Sequence, residues 1–375
     1  MTGRQRLLDT FAGKRTDRVP VAPFFYNNVV NERNGGVPED PIAACAALYR
    51  QYGFDILLRN YNVPAYLEEA CLSCDAWRVE VRNTGDVGIS WEEITTITTP
   101  ERTMTQRKSL RRVTQYEVVE APVECFIREP EDFEQFLKYQ PPVPQYDCSV
   151  VTHARSVVGD DGLTGPWVHG VFNLCGTYRK LEDLLMDPYT DEAFFAALME
   201  YFLQRLFRTV EQIIAAGADF ISLSGNMASG SMAGPNLFEE FIMPYEMRLI
   251  DRIHACGAKV LYHNCGDARF LLPLYDRMHL DLYESLTPPP YGDTELLTAL
   301  ETIRPPTVLS GNIDQIHFLM EASPEEVYER VWETVSAVKK RGSFVLACTD
   351  YLSEGTPEAN LRAFAEAGFQ FGRYE

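Results

Sequence analysis

Short apolar runs alternate with longer amphipathic patterns along most of the chain. The runs have strand length, whereas the longer patterns repeat their apolar residues with helical spacing. The predicted strands cover residues 18–25, 54–60, 165–172, 218–225, 258–267, 280–286, 307–314 and 343–350, and the clearest predicted helices cover 40–52, 191–217 and 356–368. This alternation indicates βαβ units in an α/β protein, and about eight strands favour a (β/α)8 TIM barrel. A doubly wound sheet is the weaker alternative, because no GxGxxG follows the first strand.

Residues 77–120 interrupt the alternation. This stretch is rich in Thr, Val, Ile and charged residues, and it shows no helical spacing. Such a composition favours antiparallel strands. We therefore predict one domain over residues 1–375, with an antiparallel β-hairpin inserted in its N-terminal half over about 77–120.

Composition excludes some classes of partner. The 375 residues are 46% hydrophobic and 23% charged, as is typical of a globular protein. The 34 basic and 54 acidic side chains give a formal charge of −20, which disfavours nucleic acid and anionic membranes as partners. The first residues carry no apolar signal segment and no apolar run has transmembrane length, so we expect a cytoplasmic protein.

The nine cysteines are scattered and odd in number, so most are expected to be buried thiols and not disulfide partners. Cys71 and Cys74 have the CxxC spacing of redox and metal motifs. A lone CxxC is a weak signal, and packing or surface thiols are the favoured interpretation.

The stretch "VLYHNCGDARF" (260–270) places a histidine and a cysteine at the end of a predicted strand. His263 and Cys265 are two positions apart, so their side chains point the same way with Cα atoms roughly 7 Å apart. Cys348 ends the last apolar strand, at the same rim of a barrel. Three N and S ligands match a catalytic zinc site with an open position. A packed histidine beside an inert thiol is the alternative.

Other residues at predicted strand ends are candidates for substrate contact or for support of the metal. Glu284 is either a fourth metal ligand or an acceptor behind one, with a buried ion pair as the alternative. Asp267 either holds the His263 imidazole or caps the next helix. The substrate-binding candidates are Asn226, Asn312, Asp314, Tyr26 and Tyr351, and further rim candidates are Phe24, Phe25, Ser229, Ser231 and Asp350. Turn, cap and core roles stay open for all of them.

Six motifs spread over nearly the whole chain carry a family resemblance. They are "DRVPV" (17–21), "AGADFISLSGNMAS" (216–229), "FEEFIMPYEMRLI" (238–250), "HNCGD" (263–267), "SGNID" (310–314) and "TPEANLRAF" (356–364). With them the chain resembles the uroporphyrinogen decarboxylase superfamily, and within it the zinc-dependent methyltransferases linked to corrinoid proteins. The zinc ligands of that branch, His–x–Cys and a distant Cys, correspond here to His263, Cys265 and Cys348.

The resemblance implies transfer of a methyl group to or from the cobalt of a corrinoid carried by a separate protein. Zinc suits both directions, since it holds a thiol acceptor as thiolate or acts as a Lewis acid on a methyl ether, alcohol or amine donor. The expected partners are this small methyl donor or acceptor and the corrinoid protein. The oligomeric state, a homodimer included, is left open.

One departure from the family bears on the reaction. Uroporphyrinogen decarboxylases carry an arginine-rich stretch of the type "RQAGR" after the first strand, where this chain has "PFFYNNVVNERNGG" (23–36). The decarboxylase chemistry is therefore the weaker expectation. A metal-free lyase of that type and a non-catalytic corrinoid- or thiol-binding protein remain as alternatives.

Overall fold

The computed structural model describes residues 1–63, 66 and 71–374. The helices are α1 (Gly3–Phe11), α2 (Asn27–Asn34), α3 (Pro41–Tyr52), α4 (Pro130–Tyr139), α5 (Ser149–Val158), α6 (Val171–Tyr178), α7 (Leu181–Thr190), α8 (Glu192–Ala215), α9 (Gly234–Leu237), α10 (Met243–Ala255), α11 (Leu272–Tyr275), α12 (Leu296–Thr302), α13 (Phe318–Glu321), α14 (Pro324–Val338) and α15 (Glu358–Gly372). The strands are β1 (Ile56–Leu58), β2 (Arg78–Asp86), β3 (Ser90–Thr98), β4 (Thr103–Arg112), β5 (Val118–Glu124), β6 (Gly162–Thr164), β7 (Trp167–His169), β8 (Phe220–Ser224), β9 (Lys259–His263), β10 (Leu282–Glu284), β11 (Val308–Ile313) and β12 (Phe344–Cys348). This is an α/β fold.

Parallel strands form two of the sheets. β7 to β12 pair in chain order as a six-stranded parallel sheet, and β1 pairs in parallel with β6. The predicted strand over 165–172 is shorter than expected, because Gly170 is the N-cap of α6 and the chain is helical from Val171. The predicted strand over 18–25 contributes isolated bridges only.

Backbone hydrogen bonds connect these two sheets. Val21 forms a parallel bridge with Leu346 of β12, and its carbonyl accepts from Asp55 N at 2.8 Å. On the other side, Asp219 N donates to Thr164 O of β6 at 2.8 Å. Hydrogen bonds therefore run from β12 through residue 21 towards β1, and from β6 towards β8.

A buried cluster lies between α1 and the strands. Leu7 and Phe11 of α1 pack against one apolar side chain from each of eight successive segments. These side chains are Ala22, Leu57, Leu163, Phe220, Leu261, Leu282, Val308 and Val345. Each is at most 1% exposed, so α1 covers one end of the strand assembly.

The longest helix shows how local sequence sets an element boundary. Asp191 caps α8 by accepting a hydrogen bond from Phe194 N at 3.0 Å. Gly217, with φ of 103°, follows the helix in a conformation that favours glycine. The predicted helix over 191–217 is thus helical over Glu192–Ala215, and it packs against α6, α7 and α10.

Residues 78–124 form a separate antiparallel sheet with the strand order β2-β3-β4-β5. The sequence predicts one hairpin over about 77–120, whereas three turns give the structure four strands. Trp77 packs against Phe136 of α4, with ring centroids 5.0 Å apart. The segment Thr103–Glu124 is called the β4–β5 hairpin below, and its turn contacts the loop after β12, where Tyr116 N donates to Glu354 Oε1 at 3.2 Å.

Within the described residues, no helix combines the length and the apolar character needed to cross a bilayer.

Candidate metal and substrate site

The candidate site lies where three parallel strands end. His263 is the last residue of β9, Glu284 the last of β10 and Cys348 the last of β12. His263 and Glu284 are also direct neighbours in the strand register. The carboxyl ends of parallel strands lie on one edge of a sheet, so these side chains share one rim.

A tight turn brings Cys265 beside His263. Asn264, between them, is fully buried, and its side-chain oxygen accepts from Gly266 N at 3.2 Å. This turn follows the strand immediately and returns Cys265 towards the imidazole. The spacing of two predicted from the sequence therefore places the imidazole and the thiol together.

Three donor atoms converge at this turn. One ligand atom each of His263, Cys265 and Asp350 lies within 4.8 Å of the other two. In the part of the chain that the structure describes, this is the group of three or more His, Cys, Asp or Glu side chains that is close enough to hold one metal ion. Nitrogen, sulfur and carboxylate oxygen donors suit zinc.

Glu284 contacts the opposite nitrogen of the imidazole. His263 Nδ1 lies 3.2 Å from Glu284 Oε1, whereas His263 Nε2 lies 3.8 Å from Asp350 Oδ2. The second oxygen of Glu284 accepts a hydrogen bond from Arg59 Nη2 at 2.7 Å. The three side chains of Arg59, Glu284 and His263 are all buried. Glu284 is thus both the neighbour of His263 in the strand register and the contact of its Nδ1.

The charges around His263 and Glu284 favour ionised forms despite their burial. Burial lowers the pKa of His263, but Asp350, Cys265 and Glu284 together raise it well above its usual value. Burial raises the pKa of Glu284, but Arg59 and then His263 lower it below its usual value. The rim therefore carries closely spaced opposite charges in a water-poor setting.

Cys348 lies on the same rim but outside the group of three donors. It is 5% exposed and pairs in register with Ile313 of β11. Burial, followed by the charges of Asp314 and Asp350, raises the pKa of the Cys348 thiol. The metal role of Cys348 stays a prediction, whereas Asp350, predicted only as a rim residue, has the geometry of a ligand.

An aromatic wall stands next to Asp350. Tyr26 and Tyr351 have ring centroids 5.1 Å apart, and Phe24 lies 5.8 and 6.3 Å from them. The Tyr351 hydroxyl donates to Glu117 of the β4–β5 hairpin at 2.7 Å. Phe25, in contrast, is 1% exposed and packs in the core. Phe24, Tyr26 and Tyr351 are named the aromatic wall below.

The polar candidates occupy different positions at the rim. Asn226 is exposed and accepts from Asn173 Nδ2 at 2.6 Å. Asn312 is half-buried near the end of β11. The Asp314 carboxylate accepts from the backbone N–H groups of residues 316 and 317, which stabilises the turn before α13. The hydroxyls of Ser229 and Ser231 lie 3.3 Å apart.

Besides Arg59, the sequence did not single out three residues that the structure places at the site. The Trp167 ring contacts the His263 imidazole edge-on with centroids 5.1 Å apart. His169 Nδ1 lies 3.2 Å from Ser224 Oγ, and burial, then the charge of Lys108, lowers the pKa of His169 to about 4. Asn173 is buried. Their shared signal is "WVHGVFN" (167–173), a strand that runs into a helix at the rim.

Comparison of the sequence with known protein families identifies the family of this chain. The profile of the uroporphyrinogen decarboxylase (URO-D) family matches residues 120–370. Among curated proteins, a methylated-thiol–coenzyme M methyltransferase of Methanosarcina mazei is 28% identical over 207 residues, which cover 54% of this chain and 52% of the relative. A methylcobamide:CoM methyltransferase of the same species is 22% identical over 178 residues, covering 48% and 50%. The matched stretch thus spans about half the length of these curated relatives.

A uroporphyrinogen decarboxylase of Prochlorococcus marinus is also similar, at 25% identity over 228 residues that cover 58% of this chain and 62% of the relative. Among solved structures, a methyltransferase from Methanosarcina mazei superposes with a TM-score of 0.73 at 15% identity, over 99% of both chains. A B12-independent methionine synthase from Shewanella sp. W3-18-1 gives 0.53 at 14% identity, covering 94% and 97%. At these identities the structures show a shared fold.

Proposed function

Because the chain belongs to the uroporphyrinogen decarboxylase family, we propose that it is a zinc-dependent methyltransferase working with a corrinoid protein. It moves a methyl group between a small methylated substrate or thiol and the cobalt of that partner. The observation that carries the proposal is the convergence of His263, Cys265 and Asp350 on one point of the rim. The names of two relatives, which act on methylated thiols or methylcobamide with coenzyme M, support the same reaction class.

We also propose that the strands close into a single barrel. Support comes from the backbone hydrogen bonds that flank residue 21 and from the eight-segment cluster under α1. A closed barrel collects all strand ends at one mouth. The rim residues of β7, β9, β10 and β12 then face a common space, and the β2–β5 sheet is an insertion beside it.

The metal would be held by His263 and Cys265, with Cys348 as the third N/S ligand. Glu284 either completes the coordination or fixes the imidazole from its Nδ1 side. Zinc bound by these residues would keep a thiol substrate as thiolate, or would polarise the heteroatom of a methyl donor. A soft thiolate set favours zinc over the hard ions Mg²⁺ and Ca²⁺.

The remaining rim residues would bind the substrate and exclude water. Trp167 covers one edge of the His263 ring, and the aromatic wall offers Tyr26 and Tyr351 as apolar surface next to Asp350. A methoxylated aromatic would stack on such a surface. Asn226, Asn312 and Asp314 would supply polar contacts at the ends of β8 and β11.

The first test measures metal and methyl transfer in the same preparation. We expect about one zinc per chain. We also expect zinc-dependent methyl transfer, either from methylcobalamin to coenzyme M with release of cob(I)alamin, or from a methoxylated aromatic to cob(I)alamin with release of the phenol. His263→Ala and Cys265→Ser should lose both properties with near-native circular dichroism. His254→Ala is the matched control. His254 Nε2 lies 2.7 Å from Asp281 Oδ2, and this pair is away from the rim. This variant should keep zinc content and turnover.

Two outcomes would contradict the proposal. A protein prepared without chelator that contains no zinc and cannot be loaded with it has no such site. Formation of coproporphyrinogen from uroporphyrinogen by zinc-free protein under anaerobic conditions would favour the metal-free lyase instead.

A further inference from the structure

Arg59 is a buried cation at the back of the candidate site. It follows β1 and is 4% exposed. Its Nη2 donates to Glu284 Oε2 at 2.7 Å, and its guanidinium carbon lies 3.8 Å from the centroid of the Phe24 ring. One face of the guanidinium is thus packed on the aromatic wall while its edge binds a carboxylate. Removing one partner of such a buried ion pair is strongly destabilising, because it leaves the other charge buried without compensation.

The two oxygens of Glu284 have different partners. Oε2 is bound by Arg59, and Oε1 lies 3.2 Å from His263 Nδ1. A carboxylate held at one oxygen cannot rotate without breaking the bond to the guanidinium. Arg59 therefore restricts the position of Oε1, which is one of two oxygens that contact His263 Nδ1, the other being Ser285 Oγ at 3.4 Å. The other ring nitrogen, Nε2, then faces Asp350.

We propose that Arg59 is a positioning residue for the metal site, acting on His263 through Glu284. This inference rests on the proposed zinc site. Positioning Glu284 in this way requires a hydrogen bond to its carboxylate and a fixed guanidinium plane. Arg59 provides both, since it stacks on Phe24 and donates to Glu284 in one orientation. A lysine supplies the charge without the stacked plane. Loss of an outer partner of this kind typically lowers metal affinity by about 10- to 100-fold.

The chain offers a matched control in Arg179. This arginine is also buried, binds the buried carboxylate of Asp187, and stacks on an aromatic ring, Phe194, at 5.0 Å. Its further contacts are with the backbone of residues 127 and 128, away from the rim. Arg179→Met therefore removes a similar ion pair and a similar stack without touching the metal site.

The experiment compares Arg59→Met, Arg59→Lys and Arg179→Met in the full chain. Zinc affinity is measured by competition with a chelator, and ligand geometry by the visible absorption of the Co²⁺-substituted protein. We expect Arg59→Met to lower zinc affinity about 10- to 100-fold and to change the Co²⁺ spectrum, with partial recovery in Arg59→Lys. Arg179→Met should lower thermal stability while leaving zinc affinity within about threefold of wild type and the spectrum unchanged.

Several outcomes separate the inference from the proposed function. If wild type binds zinc and Arg59→Met keeps its affinity and spectrum, Arg59 has no positioning role while the zinc site stands. If wild type binds no zinc, both fail. Should Arg59→Met not fold, Glu284→Gln replaces it, and an unchanged affinity and spectrum there would overturn the relay through Glu284. Equal loss of affinity in Arg179→Met would reduce the effect of Arg59 to general stability.

Discussion

Asp350 and Cys348 compete for the third ligand position at the candidate metal site. Asp350 has an oxygen within 4.8 Å of the other donors, whereas Cys348 offers the softer ligand from the end of β12. A thiolate binds zinc more strongly than a single carboxylate oxygen, and metal binding would overcome the raised pKa of the buried thiol. The contributions of the two side chains to zinc binding can be distinguished by substituting each one.

We expect Cys348→Ser to lower zinc affinity by orders of magnitude, because a hydroxyl is a poor replacement for a thiolate. Asp350→Asn should lower it less, by about 10- to 100-fold, which is the range for loss of a side chain next to the metal ligands. Both are measured by chelator competition, with circular dichroism to confirm folding. Cys256→Ser, at the C-cap of α10, is the control and should leave zinc content unchanged. The reverse order of effects would assign the ligand to Asp350.

The residue pattern predicted part of this site. His263 and Cys265 were found from their spacing of two after an apolar run. The predicted reason, alternation along a strand over 258–267, was wrong, because β9 ends at His263 and a turn brings Cys265 to the imidazole. Asp350 lies in the loop beyond β12, where no period applies, and its approach to His263 depends on a fold of the loop. The sequence did not predict a role for Arg59 either, because the proposed role depends on its contact with Glu284, which lies on a strand far away in the sequence.

At the scale of elements, hydrogen bonds to two acidic side chains connect the β4–β5 hairpin with the rim. Glu117 accepts from the Tyr351 hydroxyl at 2.7 Å, and Glu354 accepts from Tyr116 N and from the hydroxyl of Thr114. Tyr351 also belongs to the aromatic wall and directly follows Asp350. The hairpin, the wall and a candidate ligand are therefore joined in one small region.

Tyr351→Phe should loosen the hairpin without removing the ring from the wall. A hydrogen bond to a carboxylate contributes roughly 1.5–3 kcal/mol, so amide hydrogen exchange over residues 113–118 should become about 10- to 100-fold faster. Tyr139→Phe is the control, because the Tyr139 hydroxyl donates to Glu101 at 2.7 Å in the turn between β3 and β4. Exchange over 113–118 should stay unchanged there. Equal acceleration in both variants would argue against a local role for Tyr351.

The sequence predicted antiparallel structure in this region but not the number of strands. β2 is exposed on both faces over most of its length, so it lacks the alternation that marks a half-buried strand. The reversal between β2 and β3 passes through Gly88, whose φ is 91°. Glycine and aspartate in "TGDVGIS" are compatible with a hairpin turn or with a loop. A turn forms here because the flanking segments pair with each other as β2 and β3.

At the scale of the molecule, α1 closes one end of the strand assembly. Phe11 is 4% exposed and lies with Leu7 against side chains from all eight segments of the cluster. The sequence predicted the strands but gave no role to residues 3–11. Their apolar positions match a helix, but which surface they cover follows only from the assembled strands.

Phe11→Ala should destabilise the whole fold, because removing a buried ring leaves a cavity that costs about 3–5 kcal/mol. Urea unfolding followed by circular dichroism measures the change. Phe270→Ala serves as the control, since Phe270 is 66% exposed, and should shift stability by roughly 0.5 kcal/mol or less. An unchanged unfolding midpoint in Phe11→Ala would mean that α1 is not part of the cooperative core.

The strand order also sets when the proposed ligands can meet. β9 and β12 are separated in the sheet by β10 and β11, so His263 and Cys348 come together only after three pairings have formed. At roughly 5–20 residues per second of synthesis, the thiol at position 348 leaves the ribosome on the order of ten seconds after that at position 265. The nascent chain carries an incomplete ligand set during this interval. Under the proposed coordination, metal loading therefore follows translation of the last strand.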